Sequence, residues 1–113
     1  MTENIENTIY ESSATLLLGV TRMHGKLYLT QNSLIFEAST PTTGYYNSGH
    51  HTEEIPLDNI AEICLGNRFI FFPAKMIIEL KDGKKERFSV SKPGAWIEHI
   101  QRVRPIDVIG WLL

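Results

Sequence analysis

From Ser13 onward the apolar residues arrive in short runs, each closed by glycine, proline, asparagine or aspartate. That spacing is the mark of an antiparallel all-β chain rather than of βα units. Strands are expected over 13–23, 26–30, 34–39, 53–56, 60–66, 75–81 and 84–90. The clearest pair is Gly25-Lys-Leu-Tyr-Leu-Thr30 and Leu34-Ile-Phe-Glu-Ala-Ser39, separated by Gln31-Asn32-Ser33. Both runs are rich in residues that favour strands, and Asn32 can take a positive φ cheaply in the turn between them.

A second hairpin lies in Met76-Ile-Ile-Glu-Leu-Lys-Asp-Gly-Lys-Lys-Glu-Arg-Phe-Ser-Val90. Its register follows from which turn gathers apolar side chains on one face. A two-residue Asp82-Gly83 loop would set Met76 opposite Ser89 and Ile78 opposite Arg87. A three-residue Lys81-Asp82-Gly83 loop, with Gly83 left-handed, sets Met76 opposite Phe88 and Glu79 opposite Lys85. The second arrangement gives one coherent apolar face and a cross-strand ion pair, so it is the one expected. It also turns Glu86 inward, opposite Ile78.

After residue 92 the period changes. Trp96, Ile97, Ile100 and Val103 fall on one helical stripe. Ser91 is a candidate N-cap, Pro93 suits the first turn, and Pro105 disfavours helix at Arg104. The expected order is therefore about seven strands and one C-terminal helix.

The chain has 113 residues, enough for one core. Its single cysteine, Cys64, excludes an internal disulfide and fits a reducing compartment. No run is long and apolar enough to span a bilayer as a helix, and the acidic N-terminal residues do not form a signal peptide. A cytoplasmic location, with peripheral membrane contact as an option, is the expectation. The net charge of −2 argues against general nucleic-acid binding. Charge is uneven, however: residues 1–59 balance to −5 and residues 60–113 to +3.

The element order resembles the pleckstrin-homology superfold, and several segments resemble its GRAM branch. These are Gly25–Thr30 with Leu34-Ile-Phe-Glu37, Glu54-Ile-Pro-Leu-Asp-Asn-Ile60, Phe71-Phe-Pro73, Ile78–Lys92 and Trp96-Ile97. The resemblance implies a mainly β barrel of about seven antiparallel strands in two orthogonal sheets, with the C-terminal helix plugging one end. The domain would span 13–104, after a polar lead-in at 1–12 and before an apolar tail at 105–113. Trp96 and Ile97 would be buried. The first, third and sixth inter-strand loops would gather at one open end. Here those loops would be Arg22–Lys26, residues 40–52 and Lys81–Lys85.

Catalytic motifs are lacking: there is no Gly-x-Ser-x-Gly elbow, phosphate-cradling glycine loop or His-Glu-x-x-His. Asp58 and Glu62 read as solvated charges, His50 and His51 as loop residues without a third ligand, and Cys64 as a small core residue. Neither enzyme activity, cofactor nor metal is expected. Phe69-Ile-Phe-Phe72 reads as packing. The candidate ligand site is an anion-binding rim of Arg22, His24, Lys26, Lys81, Lys84 and Lys85, with Tyr45 and Tyr46 on the long loop. Basic residues interleaved with aromatics suit a headgroup surface. The tail, with Val108, Ile109, Trp111, Leu112 and Leu113, either extends the helix over the barrel or forms an interface for self-association. The expected function is a binding or adaptor module for a protein partner or an anionic membrane surface. The alternative is a small structural homo-oligomer joined through its tail.

Overall fold

Strand β1 (Tyr10–Leu18) alternates as a half-covered strand should: Ala14 and Leu16 are buried, while Ser13 and Thr15 face outward. The chain reverses after Leu18, and β2 (Thr21–Leu29) pairs with β1 along its whole length, from Leu18↔Thr21 to Tyr10↔Leu29. Strands β3 (Ser33–Thr40) and β4 (Gly49–Pro56) complete a four-stranded meander. A 3-10 turn at Leu57–Asn59 leads into a second meander of β5 (Ile60–Leu65), β6 (Lys75–Leu80) and β7 (Lys85–Ser89). Helix α1 (Pro93–Val103) and β8 (Asp107–Trp111) follow. The computed structural model describes residues 7–18, 20–40, 49–66 and 75–111.

The two meanders join through β1 and β7, whose antiparallel pairing covers Thr15↔Ser89, Leu16↔Phe88 and Leu17↔Arg87. The strand order is β4-β3-β2-β1-β7-β6-β5-β8. The sheet folds back over one core, in which the Phe36 and Phe88 rings lie 5.6 Å apart between the two halves. Leu16, Leu27, Met76 and Ile78 are fully buried around them. Each such side chain stabilises the fold by roughly 1.5–3 kcal/mol.

The β6–β7 hairpin has the register that its apolar pattern requires. Met76 faces Phe88, Glu79 faces Lys85, Glu86 lies opposite Ile78, and Gly83 has φ 95°. The β2–β3 turn differs from expectation. No described residue other than glycine has positive φ, Asn32 included. Instead the Thr30 hydroxyl accepts hydrogen bonds from the N–H groups of Asn32 (3.3 Å) and Ser33 (3.1 Å), doing the work of a left-handed residue.

Helix α1 closes the end of the sheet where β1 begins. Trp96 is fully buried, meets Tyr10 edge-on at 4.7 Å, and donates its indole N–H to Ser12 Oγ at 2.9 Å. Tyr10 in turn stacks on His99 at 4.2 Å. Ile97 packs on the core while only partly buried. The N-cap is Lys92, without a side-chain cap, rather than Ser91; Pro93 opens the helix and Arg104 leaves it in extended geometry before Pro105. An ion pair between Arg104 and Asp58 ties this end to the 3-10 turn.

Three boundaries are corrected. Strand β1 starts at Tyr10, inside the expected lead-in, because Tyr10 and Ser12 turn inward to meet the helix. The expected loop over 40–52 is shorter at both ends, since β3 runs through Thr40 and β4 starts at Gly49. Residues 107–111 neither prolong the helix nor stand apart: they form β8, parallel to β5 from Glu62↔Asp107 to Leu65↔Trp111. The reversal is held by Gln101, whose side-chain amide donates to the Ile106 carbonyl (2.7 Å) and accepts from its N–H (2.8 Å).

Candidate anion-binding surface

Because β7 runs antiparallel to β1, its first residues lie beside the last residues of β1, at the end opposite the helix. The β1–β2 reversal and the β6–β7 turn therefore share that end. The reversal carries apolar residues into solvent: Val20 is 102% exposed and Leu18 43% exposed. Immediately behind them, on the outer face, Leu17 is half-buried between Arg22 of β2 and Arg87 of β7, its register partners on either side. Neither arginine forms an ion pair among the described residues. An apolar tip collared by two unpaired guanidinium groups is the outstanding surface feature of this end.

One rung further along, His24, Thr15 and Ser89 lie side by side across β2, β1 and β7. The Thr15 hydroxyl and His24 Nδ1 are hydrogen-bonded at 2.9 Å. With Ser13 and Ser91 they border an open groove of about 330 Å³.

The expected rim is redistributed. Arg22, His24 and Lys26 belong to the outer face of β2 and not to a loop, because the first reversal comes five residues earlier than glycine placement suggested. Lys26 is engaged by Glu11 at 3.3 Å and lies opposite Glu37. Lys85 lies opposite Glu79. Lys81 and Lys84 are exposed in the β6–β7 turn, where the Lys84 N–H donates to Asp82 Oδ1 at 2.9 Å. Tyr45 and Tyr46 lie outside the described residues, as do Phe69–Phe72, Leu112 and Leu113. Of the tail, Val108 is partly buried against the core, and Ile109 and Trp111 contribute backbone to β8. Cys64 is half-buried on the outer face rather than in the core. Sequence reasoning missed Arg87, Thr15 and Ser89, since the β1–β7 register that assembles them has no local signal.

No family model matches the chain, and no curated protein does. Solved structures do. The C-terminal domain of an unknown protein from Leishmania infantum aligns with a TM-score of 0.66 at 12% identity, over 85% of this chain and 82% of that one. The hSac2 domain from human phosphoinositide phosphatase Sac2 aligns at 0.63 and 12%, over 93% and 80%. The Slm1 PH domain, solved in complex with phosphoserine, aligns at 0.59 and 14%, over 87% and 93%. The fold is pleckstrin-homology-like. At these identities the likeness establishes architecture alone.

A second cluster marks the inner side of this pleckstrin-homology-like domain. Glu86 points inward from β7 and meets Glu53 of β4. Burial raises the Glu86 pKa to about 7, with a hydrogen bond to Glu53 and the negative charge of Glu53 adding to the rise. Lys84 and His51 act in the opposite direction. Glu53 Oε1 is enclosed without a hydrogen-bond partner, and His51 Nε2 lies 3.8 Å from it. Protonation of Glu86 relieves the repulsion between the two carboxyl groups that face each other from β4 and β7. Because the folded pKa lies above the usual carboxylate value of 4.5, the folded state binds more protons than the unfolded chain in that interval. Stability is full below about pH 4.5 and falls as pH rises through about 7. With allowance for the solvent that reaches the pair, the loss is about 1 kcal/mol. Urea titrations at pH 5 and pH 8 are expected to show it, and Glu86→Gln is expected to flatten the difference. An unchanged difference in that variant would place the effect elsewhere. Among the described residues, no group of three or more metal-ligating side chains converges.

Proposed function

We propose that this chain is a non-catalytic recognition module, of the GRAM branch of the pleckstrin-homology-like fold, that docks peripherally on an anionic membrane surface. The observation that carries the reading is the β1–β2 tip, with Leu18 and Val20 in solvent and Arg22 and Arg87 unpaired behind them. Apolar side chains of that exposure favour the boundary between headgroups and acyl chains, and arginines favour the phosphates above it. Lys81 and Lys84 add positive charge at the same end. The neighbour solved with phosphoserine and the neighbour from a phosphoinositide phosphatase are consistent with a fold suited to phosphate-bearing ligands. No helix among the described residues is long and apolar enough to cross a membrane, so the docking proposed is superficial.

Sedimentation with vesicles tests the reading. Vesicles containing phosphatidylserine should capture the protein, and phosphatidylcholine vesicles should not. Raising the salt should weaken capture, because the arginines lie in water before docking. Each basic residue near an anionic leaflet contributes about 1 kcal/mol, roughly fivefold in affinity. Arg22→Gln with Arg87→Gln should therefore weaken capture roughly 25-fold. Failure of the unaltered protein to sediment with anionic vesicles would remove the membrane and leave a protein partner as the reading to pursue.

A further inference from the structure

We propose that β4 is a self-association edge, on which a second copy of this chain adds its own β4 antiparallel, with the two Thr52 residues face to face. Strand β4 ends the strand order and has a neighbour, β3, on one side only. One bond fixes which of its backbone groups are free. The Leu57 N–H donates to the Asn32 carbonyl at 2.8 Å, continuing the register that pairs Pro56 with Ser33. Hydrogen-bonded pairs alternate along an antiparallel ladder, so Ile55, Glu53 and His51 direct their backbone groups at β3. His50, Thr52 and Glu54 direct theirs away from it, and no backbone hydrogen bond among the described residues reaches them from that side. Such a row is a template for another strand, which natural edges blunt with lysine, proline or a bulge. Strand β4 carries no lysine, its register with β3 is unbroken, and its proline comes last.

The side-chain pattern selects β4 of a second copy as the added strand. Residues 50–54 read His-His-Thr-Glu-Glu, so basic-capable and acidic positions exchange when the segment is read backwards. Antiparallel pairing about Thr52 sets His50 opposite Glu54 of the second copy, and His51 opposite Glu53 of the second copy. Twofold symmetry makes each pair twice. It is also a register in which outward-pointing backbone groups meet outward-pointing ones, since His50, Thr52 and Glu54 pair among themselves. A slip of one residue would break that match. A slip of two would set Glu53 opposite itself in one direction, or His51 opposite itself in the other. Opposite charges directly across two strands attract and like charges repel, so the register about Thr52 is specified. Thr52 and Glu54 are exposed, as a contact on the outer side of the added strand requires.

Sedimentation equilibrium from micromolar to millimolar protein is expected to show a monomer–dimer equilibrium. Hydrogen exchange at His50, Thr52 and Glu54 should slow as dimer accumulates. Thr52→Pro removes an outward N–H and no bond to β3, so it should give a folded monomer at every concentration. His50→Glu leaves the backbone unchanged and turns both outer pairs repulsive, which should weaken the dimer about tenfold. Glu54→Lys should also weaken it, by setting lysine opposite His50. Mixing these two side-chain variants should restore association as a mixed dimer, because Glu at position 50 of one then faces Lys at position 54 of the other. A monomer at millimolar concentration would overturn the proposal. A dimer indifferent to Thr52→Pro would overturn it too, by locating self-association elsewhere. So would a mixture of the two charge variants that associates no more tightly than either alone.

Discussion

Trp96→Ala is expected to lower the unfolding free energy by about 3–5 kcal/mol, the usual cost of emptying a buried tryptophan site. The side chain is fully enclosed, and three separate interactions depend on it. Its faces fill the end of the core under α1, its edge contact orients Tyr10, and its N–H satisfies the inward-facing Ser12 hydroxyl. Removing it leaves a cavity, a Ser12 hydroxyl that keeps only its bond to the Ser13 carbonyl, and a helix held by Ile97, Ile100 and Val103. Against a typical total stability of about 5–15 kcal/mol, the loss is a large fraction. Urea unfolding followed by far-ultraviolet circular dichroism measures it. Trp96→Phe should recover most of the packing and lose about 1 kcal/mol with the hydrogen bond. A loss below about 1 kcal/mol for the alanine variant would contradict the seating of the helix described here.

Gly25→Ala is expected to cost about 2–3 kcal/mol, at the upper end of overpacking effects. A methyl group at this position would stand 2.3 Å from the Glu37 carbonyl oxygen and 2.8 Å from Ala38 Cβ. The first obstacle is backbone, so no rotamer change relieves it. Strands β2 and β3 would have to separate where they now pair through Lys26↔Glu37. Gly83→Ala is the instructive contrast, because nothing lies within 4 Å there and the strain comes from φ 95° alone. Thermal unfolding of the two variants should rank Gly25→Ala as the more damaging. The reverse order would mean that β3 approaches β2 less closely than described.

These glycines also explain how far the sequence could be read. The β6–β7 hairpin was legible in full, since only one register puts Met76, Ile78 and Phe88 on one face and gives Gly83 its turn. The helix was legible because four apolar residues share a stripe and prolines bracket it. The first hairpin was not. Leu16-Leu-Leu-Gly-Val20 reads as one apolar run and Gly25 as a turn, whereas the chain reverses just after Leu18 and Gly25 lies within β2. A glycine that permits close approach and a glycine near a reversal look alike in sequence. The misplacement shifted Arg22 and His24 from a loop to a sheet face. It also hid Arg87, whose partnership with Leu17 depends on pairing residues far apart in the chain. Glu86 was placed inward correctly, but its partner Glu53 required knowing that β4 and β7 face each other. Strand β8 was unreadable for a different reason: parallel addition to β5 is imposed by the Gln101 turn and by an available edge, neither of which has a periodic signature.

The narrow junction between the two meanders also sets an order of assembly. Within each meander, successive strands are separated by at most nine residues of chain, so those pairings cost less loop entropy than the junction does. The Leu16↔Phe88 pair instead closes a loop of roughly seventy residues, and only three register pairs reward that closure. The halves can therefore form early and independently, while their union is the late, high-contact-order event that places this chain among slower β-rich folders, on the millisecond-to-second scale. Until that union is made, the outer edges of β1 and β7 are both unpaired, and the rung of His24, Thr15 and Ser89 does not exist.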